Sequence, residues 1–246
     1  MMKSSATQTA NKWDFTNQAR FHVALKKIKL YHMKKYLFTF ALSLMWITLA
    51  FASDPAYENA MKKQISSMNT IQSSEQSQTV ANGFIRIAEA KSEEWLPLYY
   101  AAYIKATAAF RFEVNKDQYF DQAMELVNKA EKIAPNNSEI TALKGFVIMG
   151  KLSVDPMSRG QEMSPLAMQT FGKAIALDKE NPRATTLMAQ MELGMSQFFG
   201  SGPDKACGLA RVGLELFSKE EAKVTENYIL PTWGKREAVQ VANACK

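Results

Sequence analysis

Histidine is the residue type whose scarcity says most about this sequence. The chain of 246 residues has two histidines, His22 and His32, and none follows them. The rest of the chain therefore lacks the residue that serves Ser-His and Cys-His catalysis, histidine general bases and the common zinc sites. No pair of carboxylates is spaced for acid/base work either. We therefore expect a protein that is not an enzyme, with no catalytic residue, no metal site and no cofactor.

A basic surface is also missing once the first 52 residues are set apart. Of the 30 Lys and Arg and the 24 Asp and Glu in the chain, residues 1–52 hold eight and one. The remainder keeps 22 basic and 23 acidic residues, a formal charge of −1. Nucleic-acid binding depends on neutralising phosphates with Lys and Arg, so no nucleic-acid partner is expected.

The stretch over residues 33–52 has the features of a secretory signal peptide. Met33 is followed by two lysines and an apolar run, and the sequence A-F-A ends at Ala52. This pattern predicts cleavage after Ala52 and a periplasmic or secreted domain over 53–246. The apolar run is shorter than the roughly 20 residues of a spanning helix. No stable membrane anchor is expected after cleavage, and an uncleaved anchor is the alternative.

Residues 1–32 precede this signal, although a signal peptide normally opens a chain. We interpret them as a start-site artefact, with Met33 as the true initiator. The alternative is a disordered basic extension.

Beyond the signal, apolar residues recur at helical spacing and no strand pattern is convincing. One triad occurs four times: a small residue, an apolar or small residue four positions on, and a small residue three further. Small residues at this spacing let one helix lie close against its neighbour. The final members are 42, 44 and 39 residues apart. The triads are Ala81/Ile85/Ala88, Ala123/Val127/Ala130, Ala167/Phe171/Ala174 and Ala206/Ala210/Gly213.

The helix pairs that end in LVNKAEKIAPNNSE and TFGKAIALDKENPRA resemble tetratricopeptide repeats (TPR), whose period is about 34 residues. Trp95, Leu98 and Tyr99 match the opening of a repeat's first helix, and Pro135 matches its closing proline. The segments SVDPMSRGQ, FFGSG and PTWG are similar to those of an uncharacterised group of exported TPR proteins from Bacteroidota. The spacings here exceed 34 residues, and the aromatic signature is largely missing after the first full repeat.

The resemblance implies an all-α solenoid of helical hairpins with a C-terminal capping helix. We predict a degenerate hairpin over 54–91, three repeats over 92–218 and the cap over 219–246. An antiparallel capping helix would end beside the start of the preceding helix, which holds one of the two cysteines. A disulfide between Cys207 and Cys245 is therefore expected, since a cysteine pair in an exported protein is more often a disulfide than a redox site.

The inner surface of such a solenoid, lined by the first helix of each pair, usually holds an extended segment of a partner. The leading hypothesis is an exported, non-catalytic scaffold that binds a protein or peptide there. Phe146 and Met149 have a second interpretation as ordinary core residues. The expected groove residues are Tyr100, Tyr103, Phe146, Met149, Arg183 and Gln190.

The stretch SVDPMSRGQE is about ten residues too long for a repeat turn, and we interpret it as an insertion beside the FFGSG turn of the next repeat. The alternative function is therefore a small-ligand-binding protein or a histidine-free enzyme with a site at the 153–162 and 198–203 turns. An Asp–Arg pair that merely orders the loop is a further interpretation. The candidate residues are Asp155, Arg159, Gln161, Phe198 and Phe199.

Overall fold

The computed structural model describes residues 54–245, and every regular element in that range is helical. The predicted signal peptide and the segment before it lie outside the described residues. Within the described range, no helix has the length and apolar character needed to cross a membrane. The helices are α1 (Pro55–Ser67), α2 (Ser74–Ala90), α3 (Leu96–Arg111), α4 (Lys116–Ile133), α5 (Ser138–Val154), α6 (Pro156–Leu177), α7 (Pro182–Phe199), α8 (Asp204–Glu221) and α9 (Lys235–Asn243), with a 3₁₀ turn at Met68–Thr70.

Asparagine side chains begin three of these helices. Asn115, Asn137 and Asn181 precede α4, α5 and α7, and each accepts a hydrogen bond from the backbone N–H three residues later, at 3.1, 3.2 and 3.1 Å. These caps satisfy one of the donors that the first turn of a helix leaves without a partner. The hairpin connections are therefore encoded by short local sequences.

The helices pack as three hairpins, α3–α4, α5–α6 and α7–α8, preceded by α1 and α2. The first helices α3, α5 and α7 also contact one another in sequence, as do consecutive hairpins. This arrangement places the first helices on the inner surface and the second helices outside. The prediction of an all-α, TPR-like solenoid is confirmed.

The repeated triads lie on the second helices α2, α4, α6 and α8, and all their members are buried except the half-buried Ile85. Their small residues allow close packing of the first helices. In the third triad the ring of Phe171 fills the space over Gly145 of α5, where an added Cβ would lie 2.3 Å from the ring. The repeat period thus reflects helix pairs that approach each other closely.

The C-terminal helix α9 packs against α7 and α8 and buries Ala238 and Val241. A disulfide joins Cys207, near the start of α8, to Cys245 after α9, with the two Cα atoms 5.8 Å apart. Both the capping helix and the disulfide are as predicted.

The prediction of a long turn over 153–162 is wrong, because this stretch is helical. Helix α5 continues to Val154, and Asp155 alone separates it from α6. Asp155 accepts a hydrogen bond from the N–H of Ser158 at 3.2 Å, and Pro156 occupies the first helical position, where its fixed φ suits a helix. The inserted residues therefore lengthen α6 to 22 residues.

Candidate functional site

Part of the inner surface is covered by the chain's own residues 222–234, which connect α8 to α9 and are called the return segment here. Trp233 makes the main contacts of the return segment with the inner surface. The indole stacks on Tyr103, with centroids 4.5 Å apart and planes 19° apart, and lies 5.7 Å from the ring of Phe146. Its Nε1 donates a hydrogen bond to the hydroxyl of Tyr99 at 3.0 Å. Aromatic residues of α3 and α5 thus bind a segment of the same chain.

The backbone of the return segment is also bound. Tyr100 is 3% exposed, and its hydroxyl donates a hydrogen bond to the carbonyl of Ile229 at 2.9 Å. Burial raises the pKa of this hydroxyl well above its ordinary value. Tyr100 therefore remains a neutral donor to the segment.

Arg183 holds the end of the return segment and joins three helices. Its Nε donates to a carboxylate oxygen of Glu139 at 2.8 Å, and its guanidinium also donates to Glu220 at 2.9 Å and to the carbonyl of Trp233 at 3.3 Å. Burial by itself lowers the pKa of Arg183, but hydrogen bonding to Glu220 and the charge of Glu139 outweigh this and raise it. The guanidinium is thus permanently charged and already neutralised within the fold.

A second feature is an open cavity, called the methionine pocket here. It has a volume of about 710 Å³ and lies between the C-terminal halves of α5 and α7 and the N-terminal half of α6. Cavities of roughly 300–1,000 Å³ are the usual size for small-molecule sites. None of the residues that line it is charged. Five methionines line it: Met149, Met157, Met168, Met191 and Met195.

Two phenylalanines stand in the wall at the end of α7. Phe198 and Phe199 are 64% and 71% exposed, and their rings meet edge to face with centroids 5.0 Å apart. Met157 on the opposite wall is 81% exposed. Large apolar side chains at this level of exposure, grouped around one cavity, are typical of a binding surface.

The helical insertion forms one wall of the methionine pocket. Most residues from 156 to 162 are exposed to solvent. Arg159 holds this part of α6 in place, since its two terminal nitrogens donate to the two carboxylate oxygens of Asp117 on α4, at 2.6 and 2.9 Å. Hydrogen bonds from Arg159 lower the pKa of Asp117. The wall thus depends on an ion pair with the preceding repeat.

The pocket lining also includes one buried side-chain acceptor without a donor among the described residues. The side-chain oxygen of Gln190 is buried and has no hydrogen-bond partner among the described residues. Buried polar groups normally have partners, so a ligand that donates a hydrogen bond fits this lining.

The structure brings together residues that the sequence assigned to two separate sites. Met149 and Gln190 from the groove set line the methionine pocket together with Gln161, Phe198 and Phe199 from the turn set. The other groove residues, Tyr100, Tyr103, Phe146 and Arg183, contact the return segment. The remaining turn residues are Asp155, which caps α6, and Arg159, which pairs with Asp117.

Sequence reasoning missed Trp233 and four of the five pocket methionines. The methionines recur at helical spacing on α6 and α7, a pattern that buried core residues produce equally well. A stronger signal was the count of 14 methionines in the chain, since methionine is common at adaptable binding surfaces. The return segment has no helical periodicity and gave no signal.

Comparison with known proteins shows which solved structures have a similar fold. No protein-family model matches the chain, and no curated protein matches it. The HusA haemophore from Porphyromonas gingivalis is similar, with 28% identity, a TM-score of 0.68 and coverage of 80% of this chain and 96% of that one. The TPR protein TTC0263 from Thermus thermophilus has 13% identity and a TM-score of 0.52, with 77% of this chain and 89% of that one covered.

The chain has the fold of a tetratricopeptide-repeat protein, as the likeness to TTC0263 shows. The haemophore comes from a member of the Bacteroidota, the phylum of the exported group that the sequence resembles. A helical binding scaffold is the class of function that this fold supports. The disulfide fits an exported protein.

Proposed function

We propose that the chain is an exported, non-catalytic carrier that binds haem or a related porphyrin in the methionine pocket. The observation that carries this proposal is the open cavity of about 710 Å³ between α5, α6 and α7, whose lining has no charged residue. The likeness to a haemophore over 96% of that protein's length supports the choice of ligand. A periplasmic or secreted location accords with this function.

The chemistry of the lining suits a porphyrin. A porphyrin has a flat apolar ring with its carboxylates at one edge. Burying the ring against methionine and phenylalanine removes apolar surface from water, at roughly 25 cal/mol per Å². Burying an unpaired carboxylate would be costly, and the open mouth beside Phe198 and Phe199 leaves that edge in water. Aromatic rings at the mouth can also stack on the ligand.

The pocket can be tested by filling it. Gly194 lines the pocket, and an added Cβ there would meet no atom within 4 Å. Gly208 on α8 is equally open, but it does not line the pocket. Gly194→Leu and Gly208→Leu are therefore a matched pair, in which only the first reduces the ligand space.

We expect the purified parent chain to bind ferric haem, with a shift of its main absorption band on titration. Gly194→Leu should weaken binding by about tenfold or more, which corresponds to about 1.4 kcal/mol, and Gly208→Leu should leave it unchanged. A parent chain that binds no porphyrin, or two variants with the same affinity, would show that the proposal is wrong.

Binding of a peptide on the inner surface is the second candidate function. The return segment favours it, because Tyr100 and Arg183 already bind backbone carbonyls of a segment without regular secondary structure. A partner peptide would have to displace that segment. A ligand of the methionine pocket needs no such displacement, and for this reason the porphyrin carrier is preferred.

Trp233→Ala tests the second candidate, because it removes the main contacts of the return segment. If the inner surface accepts peptides, a labelled peptide copy of residues 222–234 should bind this variant more tightly than the parent chain in fluorescence anisotropy. Equal or absent binding to both proteins would exclude the peptide site.

A further inference from the structure

The methionine pocket offers only one kind of side chain that can coordinate iron. Its lining contains no histidine, cysteine, tyrosine, lysine or carboxylate. Within residues 54–245 both cysteines are in the disulfide, and the sequence has no histidine there. The five methionine thioethers remain. Thioether sulfur is a soft ligand that haem proteins use for iron.

We propose that a methionine thioether is the axial ligand of haem iron in this pocket, and that the site therefore favours ferrous over ferric haem. This inference rests on the proposed carrier function and specifies how its ligand is held. Soft sulfur stabilises the lower oxidation state, which is why methionine ligation raises the reduction potential of a haem. The chain then binds and releases its ligand according to the redox state of the iron.

The pocket methionines belong to two walls. Met157 and Met168 belong to the wall formed by α6, whereas Met149, Met191 and Met195 belong to the wall formed by α5 and α7. Each wall thus supplies thioether sulfur to the lining. The unbranched, flexible methionine side chain adapts to such a position.

The pocket methionines differ in how exposed they are, and therefore in how freely each can move toward an iron atom. Met191 is 5% exposed and fixed in the second apolar cluster of the core, whereas Met157 is 81% exposed and free to reorient. The two walls must therefore be tested separately.

The experiment compares three ligands on the intact chain: ferric haem, ferrous haem kept reduced with dithionite, and metal-free protoporphyrin. Metal-free protoporphyrin measures the affinity of the pocket for the ring alone. We expect ferrous haem to bind at least tenfold more tightly than ferric haem, which corresponds to a rise of about 59 mV in the reduction potential of the bound haem.

Two variants identify the wall that holds the iron. One carries Met157→Leu and Met168→Leu, and the other carries Met149→Leu, Met191→Leu and Met195→Leu. Leucine keeps the volume and apolar character of methionine, so these changes are well tolerated. Met163→Leu is the matched control, because Met163 lies on α6 but does not line the pocket.

At least one wall variant should lose the ferrous preference and change the visible spectrum of the ferrous complex, whereas Met163→Leu should keep both. The affinity of each variant for metal-free protoporphyrin measures any change in the packing of the ring alone, and helical circular dichroism checks that the variant is folded. Equal affinities for ferrous and ferric haem, or unchanged spectra in both variants, would overturn methionine ligation and leave the carrier function intact. If metal-free protoporphyrin and both forms of haem fail to bind the parent chain, the carrier function itself is wrong.

Discussion

Among single residues, Arg183 connects the helices of the inner surface to one another and to the return segment. Its side chain is 3% exposed and pairs with Glu139 and Glu220, whose side chains are 18% and 13% exposed. A buried charge is tolerated only while its partners compensate for the loss of water. Arg183 therefore fixes α5, α7, α8 and the return segment relative to one another, rather than remaining free for an external ligand.

Arg183→Met should lower the free energy of unfolding by about 3–5 kcal/mol, because it leaves two carboxylates partly buried without their cation. Arg236→Met is the control, since Arg236 is 83% exposed in its pair with Glu237, and exposed substitutions usually change stability by less than about 0.5 kcal/mol. Urea unfolding measures both. Similar small losses in the two variants would contradict a structural role for Arg183.

Lys105 of α3 is a buried cation that forms no ion pair with a carboxylate of residues 54–245. It is 4% exposed, its Nζ donates to the side-chain oxygen of Gln122 at 2.8 Å and also to Gln78, and it lies 5.0 Å from the centre of the Tyr119 ring. Burial lowers the pKa of Lys105 below its ordinary value of 10.5. The protonated amine is therefore less favourable in the folded chain than in the unfolded chain.

Lys105→Met should be more stable than the parent near neutral pH, because it removes this penalty. The penalty is fully present below the folded-state pKa and falls as pH rises from that value toward 10.5. The stability difference between variant and parent should therefore shrink at alkaline pH in urea unfolding. Lys129→Met, at an exposed position on α4, should show no such trend. A difference that is constant with pH would be inconsistent with the lowered pKa.

At the scale of helices, the close approach of the two members of a hairpin depends on glycine and alanine. Gly145 of α5 lies under the ring of Phe171 of α6. The methionine pocket lies toward the other end of the same pair, near the junction at Asp155. One hairpin thus combines a tightly packed end with an open one.

Gly145→Ala should destabilise the chain by about 1–3 kcal/mol, because its Cβ would lie 2.3 Å from the Phe171 ring and force that core side chain to move. Gly208→Ala should instead stabilise it by about 0.5–1 kcal/mol, since nothing lies within 4 Å and alanine favours a helix. Thermal unfolding of the two variants gives the sign of each effect. A loss in both would show that the steric explanation is wrong.

At the scale of the whole molecule, the disulfide closes the chain around its last elements. The 38-residue separation of Cys207 and Cys245 includes most of α8, the return segment and α9. The covering of the inner surface and the capping of the solenoid are thus held by one covalent ring. Constraining such a ring reduces the freedom of the unfolded chain.

Replacing both cysteines, Cys207→Ser with Cys245→Ser, should lower the free energy of unfolding by about 2–4 kcal/mol. Adding a reductant to the parent should have a similar effect, whereas the double variant should not respond to it. Urea unfolding with and without reductant provides the measurement. If the parent is equally stable in both conditions, the disulfide does not contribute to stability.

The sequence predicted the repeated framework well but misjudged the stretch around Asp155. The triads and the spacing of apolar residues indicated the helix pairs correctly, because these depend on neighbouring residues along one helix. Asp155 and Pro156 looked like a turn, yet the same two residue types also begin helices. Local sequence does not distinguish a turn from the start of a helix. In the structure this stretch is helical, and Arg159 within it pairs with Asp117 on α4.

By itself, the sequence was enough to predict the helices from their periodicity. Its resemblance to tetratricopeptide repeats then predicted their pairing and the capping helix, and the cysteine pairing followed from the position of that cap. The domain boundaries and the assignment of site residues stay predictions. Only the tertiary structure decided that Trp233 covers Tyr103 on the inner surface and that a pocket lined by methionine lies between α5, α6 and α7. A methionine on a helix face has the same pattern whether or not another segment covers it. Coverage depends on contacts between residues far apart in the chain, and these become visible only in the folded molecule.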